Sequence, residues 1–193
     1  MKKIHEYIFQ DIYDWAGKVR TVEIGKGNLF CTTSCINEYA KTVFDRFFTE
    51  CNANKFSHAA FITVLAENYG DLNALHPFRE GNGRAQREFT RLVCLKCGYI
   101  FDLSSTTHKE MLAASQLSFN TGDSSGLRTI FNKTVIPIDQ YSSDIEGFLQ
   151  ILSSDDLSAT EYSYTYDYYT ADENANKIKQ YEEIYQRKIL QTK

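Results

Sequence analysis

Twelve residues constrain this chain more than any other stretch: His76-Pro77-Phe78-Arg79-Glu80-Gly81-Asn82-Gly83-Arg84-Ala85-Gln86-Arg87. Gly81 and Gly83 flank Asn82, and glycine permits left-handed backbone and close approach of another group to the main chain. Successive N–H groups in such a turn form an anion-binding nest. From Arg84 the sequence turns to good helix formers, with Gly98 as a stop. The turn therefore feeds a helix N-terminus, where N–H groups and the macrodipole favour phosphate. Arg84 and Arg87, three apart, share a helix face and can grip one anion, and guanidinium suits bidentate phosphate binding. Glu80 is a hard oxygen ligand of the kind that holds Mg²⁺ together with substrate phosphates. His76 is of the residue type that can titrate near neutral pH, as a general base should. Singly, each residue has an ordinary structural explanation. A structural turn, however, needs no histidine, acid and paired arginines together.

The remaining pattern is mostly helical. Ile4, Ile8 and Ile12, with Phe9 and Tyr13 beside them, predict an amphipathic helix over 3–14, closed by Gly17. A second helix is expected over 34–52 with Ser34 as N-cap. A third, over 57–75, faces Phe61, Leu65, Tyr69, Leu72 and Leu75 inwards. Helices over 84–97, 106–119 and 124–134 follow, and Pro137 marks a break. Residues 18–32 differ. Thr21-Val22-Glu23-Ile24 alternates, Gly25-Lys26-Gly27-Asn28 turns, and Leu29-Phe30-Cys31 returns, which is a hairpin signal. Beyond residue 136 the composition shifts to Ser, Thr, Asp and Tyr, then to a charged end with Ile178, Tyr181, Ile184, Tyr185 and Ile189 near helical spacing.

The net charge of −4 gives no bias towards nucleic acid. No apolar run approaches membrane length, and no apolar h-region follows the N-terminal lysines, so a cytoplasmic protein is expected. The cysteine count of five is odd, which favours reduced thiols. Cys31-x₃-Cys35 with Cys94-x₂-Cys97 mimics a zinc pattern, but Cys94 and Cys97 read better as small apolar positions on the helix after the glycine turn.

The run at 76–87 resembles the signature of the Fic (filamentation induced by cAMP) family, His-x-Phe-x-[Asp/Glu]-Gly-Asn-Gly-Arg-x-x-Arg, at every specified position. The stretch from Ile4 to Arg20 is similar to the family's opening helix and turn, and the resemblance covers about residues 4–135. It implies a mainly α fold: a Fic-type helical core over 1–136 with a β-hairpin flap at about 22–30, followed by an extension over 137–193. It also implies a protein adenylyltransferase that moves AMP from ATP to a Ser, Thr or Tyr hydroxyl of a target protein. His76 would be the general base and Glu80 the Mg²⁺ ligand. Gly81, Asn82 and Gly83 would steady the α-phosphate, the Asn82 side chain facing the developing charge. Arg84 and Arg87 would bind the β- and γ-phosphates, and Phe78 would anchor the loop. The flap, with Val22, Glu23, Ile24, Lys26, Gly27 and Phe30, would dock an extended piece of the target by strand augmentation.

Members of the family are commonly inhibited by a glutamate that pairs with the second signature arginine, here Arg87. Ser142-Ser143-Asp144-Ile145-Glu146-Gly147 fits the inhibitory pattern. Ser163 to Tyr169 resembles its tyrosine-rich form, with Asp167 where glutamate is expected. A separate antitoxin protein is the alternative source of inhibition. Two other functions stay open: phosphorylation as in the related Doc toxins, which carry Lys where this chain has Gly83, and a Fic-shaped module that binds nucleotide or a partner without turnover. Oligomeric state is not legible.

Overall fold

Ser57 caps the helix around which the other elements are arranged. Its hydroxyl accepts the Ala60 N–H, and the helix, α3 as numbered below, runs from His58 to Leu75. Phe61, Leu65, Tyr69, Leu72 and Leu75 are all buried, as the spacing predicts. Ile62, Ala66, Asn68 and Gly70 are buried as well, so α3 is covered on most sides rather than on one stripe. It packs against four other helices.

The computed structural model describes residues 1–51 and 57–141. The elements are α1 (Lys2–Phe9), β1 (Gly25–Lys26), β2 (Asn28–Leu29), α2 (Ile36–Cys51), α3 (His58–Leu75), α4 (Asn82–Lys96), β3 (Tyr99–Phe101), α5 (His108–Thr121), α6 (Ser125–Thr134) and β4 (Val135–Pro137). Helices thus dominate, as expected. Met1–Asp139 form one packing unit, and Gln140–Lys193, the other, lie almost wholly outside the described residues. Ser142, Glu146 and Asp167 fall there. Among the described residues, no helix is long and apolar enough to cross a membrane.

Several boundaries differ from expectation for local reasons. α1 stops at Phe9 instead of residue 14. The N–H groups of Ile12 and Tyr13 both donate to the Phe9 carbonyl, closing the last turn. The chain then folds back until Gly17, in left-handed conformation, lies against α1, where a Cβ would stand 2.9 Å from Glu6 Cβ. The buried residues of α1 are therefore His5 and Phe9, while Ile4 and Ile8 are half-buried. α2 starts at Ile36, leaving Ser34 outside the helix with its hydroxyl 3.4 Å from that of Thr32. α4 starts at Asn82, two residues early, which leaves Gly81 alone as the turn. α5 opens with a capping box between Thr107 and Glu110 and is capped at its far end by Gly122.

The hairpin is present but shifted. Gly25 pairs with Leu29 and Lys26 with Asn28, and the Phe30 N–H donates to the Ile24 carbonyl at 3.1 Å. The turn is centred on Gly27, at φ +80°. Thr21 and Val22 do not join the ladder, because the Val22 carbonyl accepts from the Arg20 guanidinium. A second antiparallel pair, β3 with β4, was not expected. It matches Tyr99 with Pro137, Ile100 with Ile136 and Phe101 with Val135. Pro137 ends this strand, where its missing N–H does no harm.

Candidate active site

The site is assembled where α3 ends and α4 begins. His76 is the C-cap of α3, with φ 40° and ψ 61°, and is the only non-glycine residue of positive φ among the described residues. Such a conformation costs about 1–3 kcal/mol and persists only where surroundings enforce it. Three bonds do so. The His76 N–H donates to the Leu72 carbonyl, its own carbonyl accepts from Arg20 Nε at 2.9 Å, and its ring Nδ1 lies 3.0 Å from the Asn73 carbonyl. A carbonyl only accepts, so Nδ1 carries the proton and Nε2 is the basic nitrogen. Phe30 lies flat on the imidazole, with centroids 3.7 Å apart and planes within 8°. Beside them opens a recess of about 70 Å³, bounded by Phe30, Asn73, His76, Leu112 and Phe119.

From His76 the chain passes through Pro77 and Phe78 into the turn. Phe78 is fully buried and stacks on the His5 ring at 3.9 Å. Glu80 is exposed, and its Oε1 accepts the Gly81 N–H at 3.2 Å. Gly81 has φ +78° and caps α4. The first N–H groups of α4, at Asn82 and Gly83, have no acceptor within the helix. Arg84 lies with its guanidinium 4.3 Å from the Phe9 ring centroid, and Arg87 is on the same helix face, its Nη1 3.1 Å from where a Gly83 Cβ would be. The arrangement is a helix N-terminus with two arginines and one carboxylate, and a histidine at the end of the helix that precedes the turn. It can hold a polyphosphate and take up one proton.

Three expected roles change with the geometry. The Asn82 carboxamide does not face an anion site. It accepts the Phe78 N–H at 2.9 Å and donates to the Phe78 carbonyl at 2.6 Å, bracing the loop from inside. What the turn can offer an anion is then its backbone N–H groups. Phe30 is not on the open edge of the hairpin, because strand alternation turns it inwards against His76 while Leu29 is 64% exposed. Glu23 closes the hairpin root. Its carboxylate accepts the Thr33 N–H and hydroxyl at 2.9 and 2.7 Å, which holds its pKa below the usual carboxylate value. Val22 and Ile24 are exposed and half-buried, and Gly27 is exposed at the tip. Lys26 lies in β1. The cysteines are all free; Cys94 is in the core, and Cys97 Sγ donates to the Cys51 carbonyl at 2.8 Å.

Two residues that support the site were missed from sequence. Arg20 is buried and bonds the His76 carbonyl. His5 is buried under the turn: the Gly17 N–H donates to its Nδ1 at 2.9 Å, and its Nε2–H donates to the Glu80 carbonyl at 2.9 Å. Both lie upstream, and no local pattern distinguishes them from surface polar residues.

His5 gives the fold a pH dependence with a definite sign. Burial lowers its pKa, a tendency reinforced by Arg84 and opposed by the bond to Glu80. A protonated ring would also turn a second N–H against that of Gly17. The folded state thus binds the proton less readily than the unfolded state. The stability is fully present above about pH 6.5, the unfolded value, and is lost as pH falls through the folded pKa. We expect the urea midpoint to drop between pH 7.5 and about pH 5.5, and the drop to shrink in His5→Gln. Parallel pH profiles for the two proteins would show that His5 is not the titrating group.

Comparison with known proteins agrees with this geometry. Residues 1–94 match the model of the Fic/DOC family. Over 136 residues the chain is 34% identical to the protein named "Probable protein adenylyltransferase Fic" of Escherichia coli (strain K12), covering 70% of this chain and 68% of that protein. The chain belongs to the Fic/DOC family. This Fic chain is also 42% identical over 125 residues to protein adenylyltransferase VbhT of Bartonella schoenbuchensis, covering 62% of itself and 25% of VbhT. It therefore spans only a quarter of that relative's length. The Fic domain of a VirB-translocated Bep effector from Bartonella quintana, crystallised with ADP, superposes with a TM-score of 0.66 at 27% identity. That match covers 70% of this chain and 71% of the other.

Proposed function

We infer that this Fic chain transfers AMP from ATP to a Ser, Thr or Tyr hydroxyl of a target protein. The observation that carries the inference is His76, its Nδ1 bonded to the Asn73 carbonyl so that Nε2 is left for a proton, at the end of α3 one short turn before the N-terminus of α4. The relatives named protein adenylyltransferases and the ADP-bound neighbour support it. In the reaction, the target hydroxyl oxygen attacks the α-phosphorus and a new P–O bond forms. The bond from that phosphorus to the α,β-bridging oxygen breaks, pyrophosphate leaves, and the hydroxyl proton passes to His76 Nε2. Arg84 and Arg87 hold the leaving phosphates, and the N–H groups at the head of α4 stabilise the charge on the α-phosphoryl oxygens. Phe30 and Asn73 keep the imidazole in its plane and tautomer.

Glu80 fits a Mg²⁺ ion. It is one exposed carboxylate at the mouth of the anion site, and Mg²⁺ is typically held by one or two carboxylates plus substrate phosphates. When bound, Mg²⁺ would neutralise phosphate charge and orient the leaving group. The hairpin edge, with Leu29 and Val22 exposed, suits main-chain pairing with an extended target segment. Control of this site by a tail glutamate or a separate antitoxin is part of the same proposal.

Gly83 favours this reading over phosphorylation. A lysine there would begin 3.1 Å from Arg87 Nη1 and crowd the arginine that grips phosphate. Product analysis separates the readings. Incubation with ATP and target lysate should yield pyrophosphate. ADP in its place would mean phosphorylation, and neither product would mean a binding module.

A further inference from the structure

Arg20 is a buried cation whose partners are mostly backbone carbonyls. Its side chain is 0% exposed. Nε donates to the His76 carbonyl and Nη1 to the Val22 carbonyl, both at 2.9 Å, and Nη2 donates to the Cys31 carbonyl. Its one carboxylate partner among the described residues, Glu23, is 3.4 Å away and 45% exposed. Its own N–H donates to the Pro77 carbonyl at 2.9 Å, while the Cys31 N–H reaches the Ala74 carbonyl at 3.0 Å. Val22 and Cys31 are the two legs of the hairpin, one before β1 and one after β2. One planar guanidinium therefore ties both legs to the residue that carries the base.

A buried charge is a costly way to gain stability, since an apolar residue of similar size often serves as well. What the guanidinium supplies instead is geometry: several donors in a rigid fork. We propose that Arg20 is a positioning residue that locks the hairpin and His76 into one rigid joint, so that a target segment paired along the hairpin presents its hydroxyl at a fixed place before Nε2. The inference rests on the AMP-transfer reading for its consequence, but the joint itself can be measured without it. Glu23, held by Thr33, braces the outer side of the same joint.

The test is Arg20→Lys, whose single ammonium cannot span three carbonyls. Activity is normalised to the folded fraction by circular dichroism. ATP affinity should be unchanged, because Arg84, Arg87 and the turn are not touched, while the rate of transfer to protein should fall roughly 10–100-fold. Transfer at the parent rate, or transfer and ATP affinity falling together, would overturn the joint. Should the parent protein transfer no AMP, the reaction reading fails separately and hydrogen exchange decides. The Phe30 and Cys31 amides should lose protection in Arg20→Lys, and unchanged protection overturns the proposal. If the variant does not fold, native-state exchange of the unmodified chain reads the same joint. The Arg20, Phe30 and Cys31 amides should open together as one unit, and independent opening overturns it.

Discussion

Replacing His76 by alanine should lower AMP transfer by about 10²–10⁴-fold, the range a positioned general base supplies. ATP should still bind, because the triphosphate is assigned to Arg84, Arg87 and the N–H groups of α4. The size of the effect follows from how fully the imidazole is committed. Its Nδ1 proton is fixed by the Asn73 carbonyl, its plane is set by Phe30, and its backbone is held in a strained conformation by Leu72 and Arg20. The substitution relieves little strain, since alanine is as ill suited as histidine to φ 40°. The melting temperature should fall by only a few degrees, from loss of the Asn73 bond and the Phe30 contact, while the rate collapses. Pyrophosphate release at near-parental rate by a folded His76→Ala protein would remove His76 from the mechanism.

The second large effect is on the fold. Gly81→Ala should destabilise the protein by about 2–5 kcal/mol, combining left-handed strain with overpacking. A Cβ at Gly81 would lie 2.4 Å from Cε2 and Cζ of Phe9 and 3.3 Å from His5 Nε2. Phe9 is completely buried and cannot swing aside as an exposed side chain would. The loss is a large part of the roughly 5–15 kcal/mol available to a domain. Because His5 also bonds the Glu80 carbonyl, the displacement would reach the carboxylate assigned to Mg²⁺. Urea denaturation gives the size directly. The double variant Phe9→Leu/Gly81→Ala should recover part of the loss by removing the clash, with the backbone strain remaining. A Gly81→Ala protein that unfolds at the parental midpoint would show that α1 does not pack beneath the turn as described.

How far each feature was legible in the sequence depends on the range of the interactions that create it. α3 is set by a cap and a repeating apolar pattern, both local, and it was read to within a residue. The charged and glycine residues of 76–87 were equally readable, since the chemistry lies within twelve consecutive residues. The pairing of β3 with β4 joins Tyr99 to Pro137 across more than thirty residues, and each strand is three residues long. Nothing in either triplet specifies its partner. The early end of α1 has the same origin: the periodic apolar pattern continues past Phe9, but the chain turns back because Gly17 and His5 bond one another.

The support of the site was hidden for a related reason. Asn82 was expected to point at substrate and points at Phe78. Phe30 was assigned to a docking edge and backs the imidazole. Arg20 and His5 were passed over because their value lies in backbone carbonyls they reach far along the chain, at His76 and Glu80. A sequence displays side-chain chemistry, whereas a carbonyl partner is set only by the fold.

The most direct measurement uses ATP labelled separately at the α- and γ-phosphates, with target lysate and either the parent protein or His76→Ala. Transfer of the α label to protein hydroxyls by the parent, and its loss in His76→Ala, is the predicted result. Label reaching protein only from the γ position would contradict AMP transfer and establish phosphorylation in its place.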